Sequence, residues 1–215
     1  MDSMVNHYTA AKRLRSNDAY TPGGQSGFRP DRAAYVYSKI VKELYPDVPI
    51  VIGGIEASMR RFTHYDYWDD ALRAPFLSQA PADVMVYGMG EKTIVEVARL
   101  LDADNKDGIK NLPQVAYLSK DIPQNDNWST IVLESHEKCL KDKRIQAKNF
   151  GIIELESNKI EASRLVQPIG KNYVIVNPPH LPYSSEELDS YFSLPYMRMP
   201  HPKYLKRGVI PAYEM

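Results

Sequence analysis

Apolar residues at Ala33, Tyr37, Ile40, Val41 and Leu44 recur at helical spacing behind Asp31, a good N-cap, and Pro46 ends the pattern. The spacing predicts a helix that feeds a strand from Val48 to Ile52, and this strand stops at Gly53-Gly54. A short helical piece is predicted near Ala71 to Leu77. A second strand, Ala82 to Tyr87, again stops at glycine, Gly88, and Gly90-Glu91-Lys92-Thr93 opens a helix through Leu101. Helix, strand, helix, strand, helix is the rhythm of an α/β fold, here a partial doubly wound parallel sheet with helices on both faces and right-handed crossovers. Residues 32 to 101 carry that module.

On either side the pattern weakens. Residues 1 to 30 are polar and rich in turn formers and read as a long surface excursion, with Thr21-Pro22-Gly23-Gly24-Gln25-Ser26-Gly27 as a loop. After Asp102, Asp104 to Gly108 reads as a turn, while Pro113 to Ser119 and Thr130 to Leu133 are short apolar runs typical of strands. A helix is predicted from about Ser135 to Asn149, with further strands at Gly151 to Glu156 and Tyr173 to Val176. Asn177-Pro178-Pro179 and the stretch from Leu194-Pro195 to Pro202 sustain neither helix nor central strand. The expected organisation is an α/β domain over residues 1–119, then an irregular, proline-rich α+β connecting region over 120–215.

Composition narrows the function classes. The 215 residues are 43% hydrophobic, enough for a real core, and 27 basic residues balance 27 acidic ones. No net field draws the chain to nucleic acid or to an acidic membrane surface. The single cysteine, Cys139, excludes an intrachain disulfide and cannot alone hold zinc or an iron–sulfur cluster, which points to a reducing, cytoplasmic setting. No stretch approaches the ~20 apolar residues of a membrane helix.

The chemistry-bearing window runs from Val51 to Asp70. A run of β-branched residues ending at glycine reads as a parallel strand, and open α/β sheets keep their ligand crevices at the carboxyl ends of such strands. Two glycine-terminated strands would set Gly53, Gly54, Gly88 and Gly90 along one edge beside Glu91, with Ser58 as a donor to phosphate or carboxylate. A tight strand-to-helix turn explains Gly53-Gly54 equally simply. His64, Asp66, Asp69 and Asp70 could ligate a divalent ion, but no familiar spacing supports it. The favoured alternative is a surface where Tyr65, Tyr67 and Trp68 pack while the acids pair with Arg60, Arg61 or Arg73. His180 and His201, flanked by prolines, read as loop residues. A nucleophile elbow, a P-loop and an HExxH helix are all absent from the sequence.

Several longer strings carry a resemblance. Asp2-Ser3-Met4-Val5-Asn6-His7-Tyr8-Thr9, Tyr20-Thr21-Pro22-Gly23-Gly24, Ile52-Gly53-Gly54-Ile55-Glu56-Ala57-Ser58 and His64-Tyr65-Asp66-Tyr67-Trp68-Asp69-Asp70 resemble the YgiQ family of radical SAM proteins. So do Tyr87-Gly88-Met89-Gly90-Glu91-Lys92-Thr93, Val176-Asn177-Pro178-Pro179, Leu194-Pro195-Tyr196, Pro200-His201-Pro202 and Ile210 to Met215. The resemblance covers essentially the whole chain. It implies a Rossmann-like, cobalamin-binding-like α/β domain in front of a radical SAM barrel, where a C-x3-C-x2-C loop holds a [4Fe-4S] cluster and S-adenosylmethionine.

That loop has no counterpart in these residues, and Cys139 matches none of its positions. Three thiolates bind three irons and leave the fourth open to the amino and carboxylate groups of S-adenosylmethionine. The chain is therefore expected to be catalytically silent alone and to bind no cluster. It reads as an internal piece of a longer protein, or as a gene with a disrupted frame, with the barrel of the same polypeptide as its partner. The residues that the resemblance marks for cofactor contact are Gly53, Gly54, Glu56, Ser58, Arg60, Arg61, Tyr65, Asp66, Gly88, Gly90 and Glu91. Two other roles are open: a stand-alone corrinoid- or nucleotide-binding module, although an Asp-x-His-x-x-Gly string is lacking, and a non-catalytic docking domain. The substrate is not legible.

Overall fold

A computed structural model describes residues 3–124, 128–204 and 206–214. In chain order the elements are α1 (Ser3–His7), a 3-10 turn (Pro22–Gly24), α2 (Ala33–Leu44), β1 (Val51–Ile52), α3 (Gly54–Met59), β2 (His64–Asp66), β3 (Ala71–Arg73), a 3-10 turn (Phe76–Ser78), β4 (Val84–Val86), α4 (Glu91–Asp102) and α5 (Lys106–Ile109). They continue as β5 (Val115–Ser119), β6 (Thr130–Val132), α6 (His136–Lys141), α7 (Lys143–Ser157), β7 (Arg164–Ile169), β8 (Asn172–Val176), α8 (Ser185–Phe192), a 3-10 turn (Pro202–Tyr204) and α9 (Pro211–Glu214). Contacts divide the chain into two compact units, one of residues 37–182 and one of residues 1–36 with 183–215.

The larger unit holds a six-stranded sheet in the order β1-β4-β5-β8-β7-β6. The α/β class stands, but the sheet is mixed and not parallel: β1–β4 and β6–β7 are parallel, whereas β4–β5, β5–β8 and β7–β8 are antiparallel. The sheet runs on past residue 119 without a break. Its core gathers Val84, Val86, Val97, Ile109, Val115, Tyr117, Val166 and Ile175, with Leu100, Leu101 and Leu112 packed against them.

Four predicted elements differ in the structure. The helical piece at Ala71 to Leu77 is instead β3 followed by a 3-10 turn, because Pro75 interrupts it and Ala71–Arg73 pairs antiparallel with His64–Asp66. The helix predicted over Ser135 to Asn149 is two helices, broken at Asp142, whose extended backbone and side chain cap α7 by accepting from the Arg144 amide. Gly151 to Glu156 is no strand but the last half of α7, in which Gly151 has open space and Leu155 is exposed. Asp104 to Gly108 contains the start of α5, capped by Asn105.

The smaller unit is more ordered inside than its composition suggests. Asp18 is buried and accepts two hydrogen bonds from Arg29, from Nε at 2.7 Å and Nη2 at 2.8 Å. His7, also buried, lies 3.5 Å from Asp18 and 2.9 Å from Asp31, which in turn accepts from the Tyr8 hydroxyl at 2.8 Å. The expected surface excursion of residues 1–30 is thus anchored by a buried ion pair. Within the region expected to be only proline-rich, α8 begins at Ser184 with a full capping box to Glu187.

Candidate functional site

The parallel register Val51↔Val84 and Ile52↔Met85 brings the carboxyl ends of β1 and β4 side by side. Gly53, Gly54, Gly88 and Gly90 therefore do line one edge, as the strand pattern predicts. Two of them are glycine for lack of room. A Cβ on Gly53 would stand 2.9 Å from the Val86 carbonyl oxygen, and one on Gly90 would stand 2.6 Å from the Val86 Cγ1. Gly54 and Gly88 instead take φ of 79° and 65°, a region that favours glycine. Gly54 faces open space and starts α3, and Gly90 precedes the first turn of α4.

Two side chains tie this edge together. The Ser58 hydroxyl accepts from the Gly88 amide at 3.3 Å, joining α3 to the loop after β4. Arg61 donates to the Ser58 carbonyl, and its guanidinium lies over the Tyr87 ring at 4.2 Å from the centroid. Burial lowers the Arg61 pKa, opposed by Tyr87. Burial also pushes the Tyr87 phenol well above its ordinary range, with Arg61 opposing. A guanidinium stays charged at neutral pH, so Arg61 places positive charge at this edge over the Tyr87 ring. Glu91 is exposed in the first turn of α4, where a carboxylate suits the helix dipole.

The remaining predicted residues lie elsewhere. Glu56 is buried in α3, and its carbonyl accepts from Arg60 at 3.1 Å. Tyr65 and Asp66 belong to the β2–β3 hairpin. Asp66 accepts from the Trp68 and Asp69 amides at 2.9 and 3.2 Å, and the Tyr65 hydroxyl donates to Asp70 at 2.6 Å. Arg73 pairs with Asp69 and lies 3.9 Å from Asp66, so the expected pairing of these acids with an arginine is met by Arg73. The acid cluster is a hairpin turn with its own internal partners.

Sequence reasoning missed the residues that hold the edge from beneath. Gln114 is buried at φ 64°, and its Nε2 donates to the Tyr87 carbonyl at 2.8 Å and to the Met89 carbonyl. Its Oε1 accepts from the His180 amide at 3.2 Å, so one amide side chain fixes the Tyr87–Met89 loop. Asn177 is fully buried. Its Nδ2 donates to the Lys110 and Leu112 carbonyls at 2.9 and 2.7 Å, and its Oδ1 accepts from Arg164 Nε at 3.0 Å. Its backbone carbonyl takes the Tyr87 hydroxyl. Asn177-Pro178-Pro179 was visible as an odd string; Gln114 left no signal.

A [4Fe-4S] cluster does not fit these residues. Cys139 is buried on α6, burial raises its thiol pKa, and Asn149 Nδ2 lies 3.2 Å from its sulfur. Among the described residues no group of three or more His, Cys, Asp and Glu is placed to hold a metal ion, and no helix is long and apolar enough to cross a membrane.

Fold and site together define a mixed α/β domain with a glycine-bounded edge at the carboxyl ends of one parallel strand pair. The family model described as Radical SAM N-terminal matches residues 1–215, and the chain belongs to that family. It is similar to UPF0313 proteins, the YgiQ family, with 52% identity to one from Porphyromonas gingivalis and 52% to one from Bacteroides thetaiotaomicron. Both alignments cover 100% of this chain but 34% and 36% of those relatives; a UPF0313 protein of Clostridium perfringens shows 47% identity over 32% of its length. The chain spans about a third of the length of the curated relatives it matches. No solved structure matches it.

Proposed function

We propose that this chain is the amino-terminal accessory region of a cytoplasmic radical SAM iron–sulfur enzyme, and that it performs no catalysis alone. The observation that carries the reading is a mismatch: a radical SAM family match across residues 1–215 in a chain with one buried cysteine. A site-differentiated cluster needs three thiolates, so the cluster and S-adenosylmethionine belong to polypeptide outside these residues. Such a cluster, where held, supplies the electron that cleaves the sulfonium. The role of this chain is to present its glycine edge to that chemistry. Gly53, Gly54, Gly88 and Gly90 allow close approach of a ligand to backbone, Arg61 supplies positive charge, and Ser58 holds the two loops together. Glu56, Arg60, Tyr65, Asp66 and Glu91 support this edge from its flanks in the same reading. The partner is the radical SAM part of the same polypeptide.

The test pairs this chain with the full-length Porphyromonas gingivalis relative, each reconstituted anaerobically with iron and sulfide. The relative is expected to develop broad thiolate-to-iron absorbance near ~400 nm, and this chain to develop none. Cluster uptake by this chain, or its failure in the relative, would contradict the reading. Calorimetry with S-adenosylmethionine and with hydroxocobalamin tests the edge directly. Heat with hydroxocobalamin on this chain alone would favour the stand-alone corrinoid module instead.

A further inference from the structure

Helix α2 wears its apolar stripe on the outside. Tyr37, Ile40, Val41 and Leu44 fall at i, i+3, i+4 and i+7, the spacing of a core-facing stripe. Yet they are 48%, 45%, 41% and 67% exposed, while Ser38, on another side of the helix, is 5% exposed. One turn after Ser38, Lys42 reaches the Val48 carbonyl at 3.4 Å and the Asp83 carboxylate at 3.9 Å. Ser38 and Lys42 thus lie on the inward side of the helix, and the apolar stripe lies on the outward side. Tyr45 and Val48, both exposed, prolong the patch. An apolar surface this continuous marks an interaction site.

The strand that follows is equally unfinished. β1 stands at the end of the sheet order, and among the described residues no strand pairs with its outer side. Exposed edges are ordinarily blunted by charges or bulges. β1 is short and follows Pro49, yet the run Ile50-Val51-Ile52 carries no charge, and Ile50 and Ile52 are buried, which is the composition of an interior strand. Relatives that carry this stretch at 52% identity devote only 34% and 36% of their length to it. Their remaining two thirds is chain for which this structure shows no place.

We infer that, in polypeptides of the relatives' length, a segment from the remaining two thirds adds a strand to the free edge of β1 and covers the α2 stripe. β1 then becomes an interior strand, and the six apolar residues from Tyr37 to Val48 leave water. The inference rests on the accessory-region reading and names the surface through which that region joins the rest of the molecule.

Hydrogen exchange read by mass spectrometry tests it on this chain and on the full-length Porphyromonas gingivalis relative, both purified without iron or S-adenosylmethionine. After correction for intrinsic rates, the stretch matching Tyr37–Ile52 should exchange at least about tenfold more slowly in the relative, while the stretch matching α7 exchanges alike in both. The double substitution Ile40→Asp, Leu44→Asp should leave the melting midpoint of this chain nearly unchanged, because both sites are exposed. At the matched positions of the relative it should restore fast exchange to the β1 stretch. Equal exchange of Tyr37–Ile52 in the two proteins would overturn the inference. So would a dimer of this chain that Ile40→Asp dissolves, since a second copy would then be the occupant. Cluster uptake by the relative without protection sinks the docking surface alone; loss of cluster uptake sinks the accessory reading instead.

Discussion

Along the β5–β8–β7 side of the sheet, Arg164, Gln167 and Asn177 are buried and hydrogen-bonded to one another or to neighbouring loops; along the β1–β4 side, glycines and apolar side chains meet solvent. Arg164 is fully buried, its Nε bonded to Asn177 and its guanidinium 5.0 Å from the Trp128 ring centre. Gln167 is buried too, accepting from the Thr63 amide at 2.8 Å and donating to the Glu134 carbonyl at 3.2 Å. Such networks fix a single arrangement because each unpaired member would be costly. The glycine edge is held mainly through backbone groups, by Gln114, Ser58, Arg61 and the Tyr87 hydroxyl. Among the described residues nothing covers the α2 stripe or pairs with the outer side of β1. One side is a finished core, and the other is built to receive something.

The largest effect should come from breaking the finished side. Asn177→Ala removes the acceptor of a buried guanidinium and the donor to two carbonyls, and should lower stability by about 3 kcal/mol in urea unfolding. A loss below about 1 kcal/mol would show that this side is not locked by its network. Next come the crowded glycines: Gly90→Ala and Gly53→Ala each force a methyl against Val86 and should cost about 2 kcal/mol. Gly54→Ala meets open space and should cost only the left-handed backbone penalty, about 1 kcal/mol. Gly54→Ala as damaging as Gly90→Ala would mean that a Cβ at Gly54 is crowded and that the space there is not open. Ser58→Ala loses one 3.3 Å hydrogen bond and should cost about 0.5 kcal/mol, with faster exchange of the Gly88 amide.

A pH effect sharpens the same contrast. His136 lies 2.9 Å from the Thr63 hydroxyl, and burial lowers its pKa below the ordinary 6.5, opposed by Glu137. A lowered pKa means the unfolded chain binds the proton more readily, so this contribution is complete above pH 6.5 and is lost as pH falls through the folded value. Urea midpoints should drop between about pH 7.5 and 5.5, and His136→Asn should flatten that slope. An unchanged slope in the variant would remove His136 as its source.

The receptive side was the legible one. Helical spacing gave α2 and α4, and β-branched runs stopping at glycine gave β1, β4 and their shared edge, because these elements follow local periodicity. The spacing could not say which way the α2 stripe faces, since that depends on polypeptide packed against it. The finished side was harder to read for a physical reason. β7 contains Arg164, Gln167 and Pro168, so its apolar pattern is broken, and its burial is made possible by partners distant in sequence. Gln114 is likewise ordinary in sequence and central in space. Ile152, Ile153 and Leu155 imitate strand spacing inside α7, where only the continuing helix decides the matter.

Residue-resolved hydrogen exchange on this chain alone tests the contrast most directly. The account predicts that β5 and β8 amides exchange slowest, and that those of α2 and β1 exchange at least about a hundredfold faster. Protection of β1 and α2 equal to that of β5 and β8 would contradict it, for the sheet would then be finished at both ends.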